Sequence, residues 1–275
     1  MTELSSMTEL SSMTELTLGI SPCPNDVYIF SGLLLGKVST GGIHFNVEYQ
    51  DVETLNDRAQ NGAIDVVKIS YANFIHCQSE YDLLPNGGAL GRGVGPLLLA
   101  HGGIWNPDAE VLVPGEFTTA NFLLDFYAGR PLKKRFLPFD ALYAELLSVP
   151  GAQGVVIHEK RFTYAADGLS LIQDLGDHWE RETGFAIPLG AIAARKTIDK
   201  DHLASLVGQS LRWAYAHDAE AFALCRQHSQ DLNPDVVRAH IALYVNSFSE
   251  DIGPEGHAAI EFFLQMQREF KAATR

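Results

Sequence analysis

Residues 16–36 read LTLGISPCPNDVYIFSGLLLG, and this stretch decides the fold. Leu16–Ile20 is apolar enough for a buried strand. Ser21–Asp26 is a turn stiffened by Pro22 and Pro24, and Val27–Leu35 has helical length and ends at Gly36. A strand passing through a tight turn into a helix is the first half of a βαβ unit. The same order recurs outward. Ile43–Tyr49 alternates like a strand, Val52–Gln60 reads as a helix stopped by Asn61-Gly62, and Val66–Ile69 is a strand before a helix at Tyr71–Cys77 with Ser70 as its cap. Further strands are expected at Leu97–Ala100, Glu110–Val113, Arg135–Pro138, Val155–Ile157, Leu169–Asp174 and Leu189–Ala194. Helices are expected from Thr118 or Thr119 through Tyr127, over Asp140–Leu147, and almost continuously from Asp199 onward. Alternating strands and helices predict an α/β protein with mainly parallel sheets, whose ligands bind outside the carboxyl ends of the strands.

The chain has 275 residues, 46% hydrophobic and 20% charged, which excludes a disordered or fibrous protein. Lys and Arg number 20 against 34 Asp and Glu, a formal charge of −14, so an extended nucleic-acid surface is not expected. Any bound anion must be gripped locally, by a few cations and backbone N–H groups. Cys23, Cys77 and Cys225 are far apart and form no Cys-x-x-Cys pair, against a zinc ribbon, a thioredoxin site or a disulfide scaffold. No apolar run of about 18 residues and no basic head before an apolar stretch is present. The expectation is a cytoplasmic protein with no membrane partner. MTELSS fills residues 1–6 and again 7–12, and Met13–Leu16 starts it a third time. With one leucine in six residues it buries little, and residues 1–16 are expected to be mobile.

Four turns after strands, and one helix start, carry polar groups worth weighing. In Ser21–Asp26, the N–H groups, Ser21 and Asn25 can face a ligand, or Asn25 or Asp26 simply caps the helix. Lys68-Ile69-Ser70-Tyr71 puts a hydroxyl and a cation at a helix start, which suits a carboxylate; a capping serine and a surface lysine is the plainer reading. Gly87–Pro96 has five glycines, yet Pro96 breaks the Gly-x-Gly-x-x-Gly spacing and no Gly-Lys-Ser/Thr follows, so nucleotide binding is not indicated. It reads as a crossing between lobes with Arg92 available to an acid, or as a flexible loop with a solvated arginine. Val155–Tyr164 delivers His158 at the end of an apolar strand, where an imidazole can serve as general base or be just a satisfied histidine. Phe162 spoils His-Glu-x-x-His, and the other histidines form no evident metal set. Finally, Thr118-Thr119-Ala120 offers hydroxyls and free N–H groups at a helix start, either a second anion cradle or a cap. With Ser70 it makes two donor clusters on separate segments, as a ligand held between lobes requires.

Together SPCPND at Ser21–Asp26, DVETLN at Asp51–Asn56, KISYA at Lys68–Ala72, GGALGRGVGPL at Gly87–Leu97, VPG with TTA at Val113–Ala120, IHEKRFTY at Ile157–Tyr164, PLGAI at Pro188–Ile192 and YVNSFS at Tyr244–Ser249 resemble the 1,4-dihydroxy-6-naphthoate synthases of the futalosine route to menaquinone. The resemblance covers the chain from Leu18 onward. It implies a two-lobed type 2 periplasmic-binding-protein-like fold, with residues 17–97 and 188–275 in one lobe, 98–187 in the other and a cleft between. It further implies conversion of cyclic dehypoxanthine futalosine, a carboxylated small molecule, to 1,4-dihydroxy-6-naphthoate with loss of a three-carbon fragment. On this resemblance His158 is the general base, and Lys68, Ile69, Ser70, Thr119 and Ala120 bind the substrate. Asn25, Arg92 and Arg161 are supported by place alone. No metal or organic cofactor is implied. Chorismate dehydratase, which shares the pathway and fold, and a non-enzymatic solute-binding protein are the alternatives.

Overall fold

The computed structural model describes residues 13–229 and 233–273. The doubled MTELSS over residues 1–12, expected to be mobile, lies outside them. Met13–Leu16 start the repeat a third time, and the expectation of mobility fails there: Thr14–Leu16 begin the first strand, pairing in parallel with Ile43–Phe45. Leu16 is buried there, so the strand claims these residues through its core-facing side chain.

In chain order, β1 (Thr14–Ile20), α1 (Pro24–Leu34), β2 (Ile43–Tyr49), α2 (Val52–Gln60), β3 (Val66–Ser70), α3 (Phe74–Cys77), β4 (Tyr81–Leu83) and β5 (Ala89–Gly91) come first. Then follow β6 (Leu97–Ala100), β7 (Val111–Val113), α4 (Thr119–Ala128), β8 (Lys134–Phe136), α5 (Phe139–Ser148), β9 (Gln153–Val156), β10 (Ser170–Asp174) and α6 (Leu175–Thr183). The chain returns through β11 (Ile187–Arg195) to α7 (Lys200–Ala216), α8 (Asp218–His228), α9 (Pro234–Tyr244), α10 (Ser247–Glu250) and α11 (Gly253–Ala273). One sheet has the order β2-β1-β3-β11-β4 with β5 also on β11; the other runs β10-β6-β9-β7-β8.

The sheets are mixed rather than mainly parallel. β1 is parallel to β2 and β3, and β7 to β8 and β9, as helical crossovers demand. β11 is antiparallel to β3, β4 and β5, and β6 is antiparallel to β9 and β10. Both β6 and β11 begin where the chain changes sheets, so each enters its sheet without a helical crossover to set a parallel direction. Where the two linking segments meet, Gly95 abuts the start of α6: a methyl added at Gly95 would lie 2.3 Å from Gly176 Cα.

α1 begins at Pro24, three residues before the sequence suggests, because a proline in the first turn lacks an N–H that would be unpaired anyway. The helix is buried from Pro24 to Gly32, between the first sheet and α7, α8 and α9. Cys23 occupies the cap position without a side-chain cap bond, so neither Asn25 nor Asp26 caps the helix. Ser70 does not cap by its side chain either, since a short 3-10 turn at Tyr71–Asn73 precedes α3. Among the described residues, no helix is long and apolar enough to cross a membrane.

Candidate active site

A cavity opens between the two sheets, lined from the first by Ser21, Cys23, Asn25, Asp26, Lys68, Ile69 and Ser70 and from the second by Thr118, Thr119, Ala120 and His158. Late residues join it: Leu189 and Gly190 from β11, and His240 and Tyr244 from α9. The carboxyl ends of β1 and β3 supply the first group, as the topology of an α/β sheet predicts.

Lys68 is not a surface lysine. Its ammonium lies 2.7 Å from Asp26 Oδ1 and donates to the Gly87 carbonyl at 3.0 Å, and both charged side chains are buried. Asp26 also accepts from Ser21 Oγ at 2.7 Å and Asn25 Nδ2 at 2.8 Å. Parallel neighbours β1 and β3 bring the two charges together, and this buried pair is part of the cavity lining.

His158 is the first residue of a 3-10 helix, His158–Phe162, and has φ of 60°, in the left-handed region that glycine usually fills. That turn sets its Nδ1 3.1 Å from Cys23 Sγ. The Phe139 ring meets the imidazole edge-on, with centroids 5.2 Å apart. Burial lowers the His158 pKa, against the raising pull of Glu159 and Asp26. Burial pushes the Cys23 thiol well up, and the Glu159 and Asp26 carboxylates push it further. The contact thus joins a neutral imidazole to a protonated thiol. Glu159 is buried beside them, and the ligating atoms of Cys23, His158 and Glu159 lie within 4.8 Å of one another. This trio is close enough to hold a thiophilic metal ion.

Hydrogen-bond donors line the same cavity. Asn56 brackets Ser70, taking its backbone N–H at 2.9 Å and donating to its Oγ at 3.2 Å. Among the described residues, the hydroxyl proton of Ser70 has no protein acceptor. Thr118 caps α4 by accepting from the Asn121 N–H at 3.1 Å, and the Thr119 hydroxyl donates to the Leu189 carbonyl at 3.1 Å. Both hydroxyls are therefore committed to the protein. What the α4 start offers the cavity is the backbone N–H groups of Thr119 and Ala120, at the positive end of the helix dipole.

His158, Lys68, Ile69, Ser70, Thr119, Ala120 and Asn25 therefore come together at one cavity. Arg92 does not join them: it is exposed and bonds Glu255 and the Gly184 carbonyl. Arg161 is not on the lining either; its guanidinium holds the Gly95 carbonyl and Asp174, tying the 3-10 helix to the linking segments. Sequence reasoning missed Cys23 as the partner of His158, and with it Glu159, His240 and Tyr244. By sequence Asp26 is only a candidate cap, although opposite charges just after one strand and near the end of another are a usable signal for the ion pair. His240 carries none, because nothing local in α9 marks it as facing a distant turn.

A family model described as menaquinone biosynthesis matches residues 16–269. The 1,4-dihydroxy-6-naphthoate synthase of Thermus thermophilus is 42% identical over 251 residues, 88% of this chain and 90% of that protein. The enzyme of the same name from Streptomyces coelicolor is 38% identical over 260 residues, 90% of each chain. Among solved structures, a protein of Archaeoglobus fulgidus superposes with a TM-score of 0.87 at 28% identity, covering 94% of this chain and 98% of that one. The alkanesulfonate-binding protein SsuA of Xanthomonas axonopodis, bound to MOPS, superposes with a TM-score of 0.70 at 13% identity, covering 95% and 94%. That last likeness concerns the fold alone, and it bears out the binding-protein-like α/β architecture.

Proposed function

This chain belongs to the menaquinone-biosynthesis family, and from that premise we propose that it acts as a 1,4-dihydroxy-6-naphthoate synthase, a carbon–carbon lyase. The substrate is cyclic dehypoxanthine futalosine, and a three-carbon fragment leaves as the naphthoate ring forms. The observation that carries this reading is that the buried imidazole of His158, its pKa lowered by burial, shares one cavity with the Ser70 hydroxyl and the α4 N–H groups.

His158 removes a substrate proton as general base, and an enolate-like charge develops on the substrate. Ser70 and the N–H groups of Thr119 and Ala120 are oriented donors for substrate oxygens, including the carboxylate. Such donors act most strongly where charge grows in a dry site. Aromatisation of the new ring then drives bond cleavage. Lys68 contributes chiefly through Asp26, since two of its N–H donors are committed. The lobes, expected over 17–97 with 188–275 and over 98–187, are taken as residues 14–96 with 187–275 and 97–186, because β1 starts at Thr14, β6 of the second sheet at Leu97 and β11 of the first at Ile187, and the protein is taken as cytoplasmic.

The test is incubation with cyclic dehypoxanthine futalosine and chromatography of the naphthoate. Wild-type protein should form product, and His158→Ala should lose about a hundredfold or more of the rate while remaining folded. Near-normal turnover by that variant sinks the base assignment. Unchanged substrate retained by the wild-type protein would favour the solute-binding reading, and dehydration of chorismate the dehydratase reading.

A further inference from the structure

We propose that His240 is a substrate-binding residue whose Nδ1 accepts a hydrogen bond from a ligand hydroxyl. A chain of contacts fixes the tautomer of its ring, each link setting the next. Asp26 is held by the Lys68 ammonium at 2.7 Å, and a carboxylate can only accept. Asn25, which meets Asp26 Oδ1 at 2.8 Å, must therefore present its Nδ2 there. Its Oδ1 is left facing His240 Nε2 at 2.9 Å. An amide oxygen accepts only, so the proton of His240 sits on Nε2. Nδ1 of the neutral ring then carries a bare lone pair.

That lone pair has no partner among the described residues. Nδ1 of His240 is buried without a hydrogen bond among the described residues, although His240 is on the cavity lining and 1% exposed. Burial, with the nearby His158 and Arg161, pulls the pKa of His240 well down, so the ring does not escape by taking a second proton. A buried acceptor left unmade is unfavourable, and a bound ligand can relieve it. The Tyr244 ring, 4.6 Å from that of His240 and on the same wall, gives an aromatic surface beside the acceptor. An acceptor next to a flat ring suits a hydroxylated ring or its hydroxylated precursor. This deepens the function proposed above and rests on it: the relatives' named product is a dihydroxynaphthoate.

A purely structural role, in which His240 only holds Asn25, makes the opposite forecast for two variants. An asparagine amide reaches the position of Nδ1 but not that of Nε2; a glutamine amide does the reverse. His240→Asn should keep KM within about threefold of wild type, while His240→Gln should raise KM about tenfold with a smaller change in kcat. Rescue by Gln and not by Asn overturns the proposal. Wild-type protein labelled with 15N at histidine supplies a readout that no folding failure can obscure. Nδ1 of His240 should be unprotonated from pH 6 to 8, and should shift on adding 1,4-dihydroxy-6-naphthoate but not its 1,4-dimethoxy ether, which lacks the donors. A protonated Nδ1 in the free protein overturns the proposal whatever the substrate. So does an unmoved Nδ1 in a protein that turns over cyclic dehypoxanthine futalosine and is saturated with the naphthoate. Failure of the wild-type protein to turn over that substrate overturns the parent function and this proposal with it.

Discussion

Sγ of Cys23 lies 3.1 Å from Nδ1 of His158, and this contact joins the turn after β1 to the turn after β9. The two residues are 135 positions apart and belong to segments that enter different sheets. For His158 to act as a base through Nε2, its proton must sit on Nδ1 and point at the sulfur. The thiol, kept protonated by burial and by Glu159 and Asp26, is then a weak acceptor that orients the ring without competing for the proton.

Replacing Cys23 should therefore affect orientation more than binding. Cys23→Ala loses one hydrogen bond of about 0.5–1.5 kcal/mol, roughly a two- to twelvefold drop in kcat. Cys23→Ser, which keeps an acceptor at that point, should recover most of it. Steady-state kinetics of the two variants decide the matter, and equal rates for Ala and wild type would remove Cys23 from the mechanism.

The acid limb of activity should sit low. A base works only when neutral, and burial lowers the pKa of His158. The midpoint of kcat/KM on the acid side should then fall below about 6.5, the ordinary imidazole value. A midpoint above that value contradicts the assigned environment.

Stability carries the same sign. His158 and His240 both have depressed pKa values in the folded chain. The unfolded chain binds more protons between those values and about 6.5, so their contribution is complete above about pH 6.5 and declines as pH falls through the folded values. Glu53, raised by burial, acts in the opposite sense. The thermal midpoint of wild type should drop more steeply from pH 7 to pH 5 than that of His240→Asn. Parallel curves would count against a neutral buried His240.

Lys68 and Asp26 should prove mutually dependent. Lys68→Met leaves the Asp26 carboxylate buried without its cation, a loss of about 3–5 kcal/mol. Adding Asp26→Asn should recover part of it, as read by urea denaturation. Fully additive losses would mean that the pair is not coupled.

Metal should inhibit rather than support turnover. EDTA is expected to leave the rate unchanged, and added Zn²⁺ to suppress it by engaging Cys23, His158 and Glu159, with Cys23→Ala less sensitive. Loss of activity on chelation would replace the metal-free base mechanism.

Much of this was legible in order along the chain. The strand–turn–helix pattern of residues 16–36 and its repeats gave nearly every element, and Ser70, Thr119 and His158 stood out because each follows a strand or opens a helix. Three elements escaped notice: β4, β5 and α6. The two strands are three residues each, too short to show an alternation, and they exist because β11 runs beside them. α6 was hidden by a polar sequence, though Asp174 caps it and Gly184 ends it.

Periodicity and turn chemistry are local, so the amino-acid sequence by itself determined the α/β class, the order of elements and the turns that could carry chemistry. It could not determine which distant groups meet. By sequence Lys68 is either a surface lysine or a cation for the substrate, and the structure buries it against Asp26; the hydroxyls of Thr118 and Thr119 either face a ligand or cap a helix, and they are spent on the protein; Arg92 is spent on Glu255. The tertiary structure alone made those assignments, along with the Cys23–His158 contact and the lone pair of His240. A donor, acceptor or charge has several partners within reach of its residue type, and which one it takes depends on the packing of elements far apart in the chain.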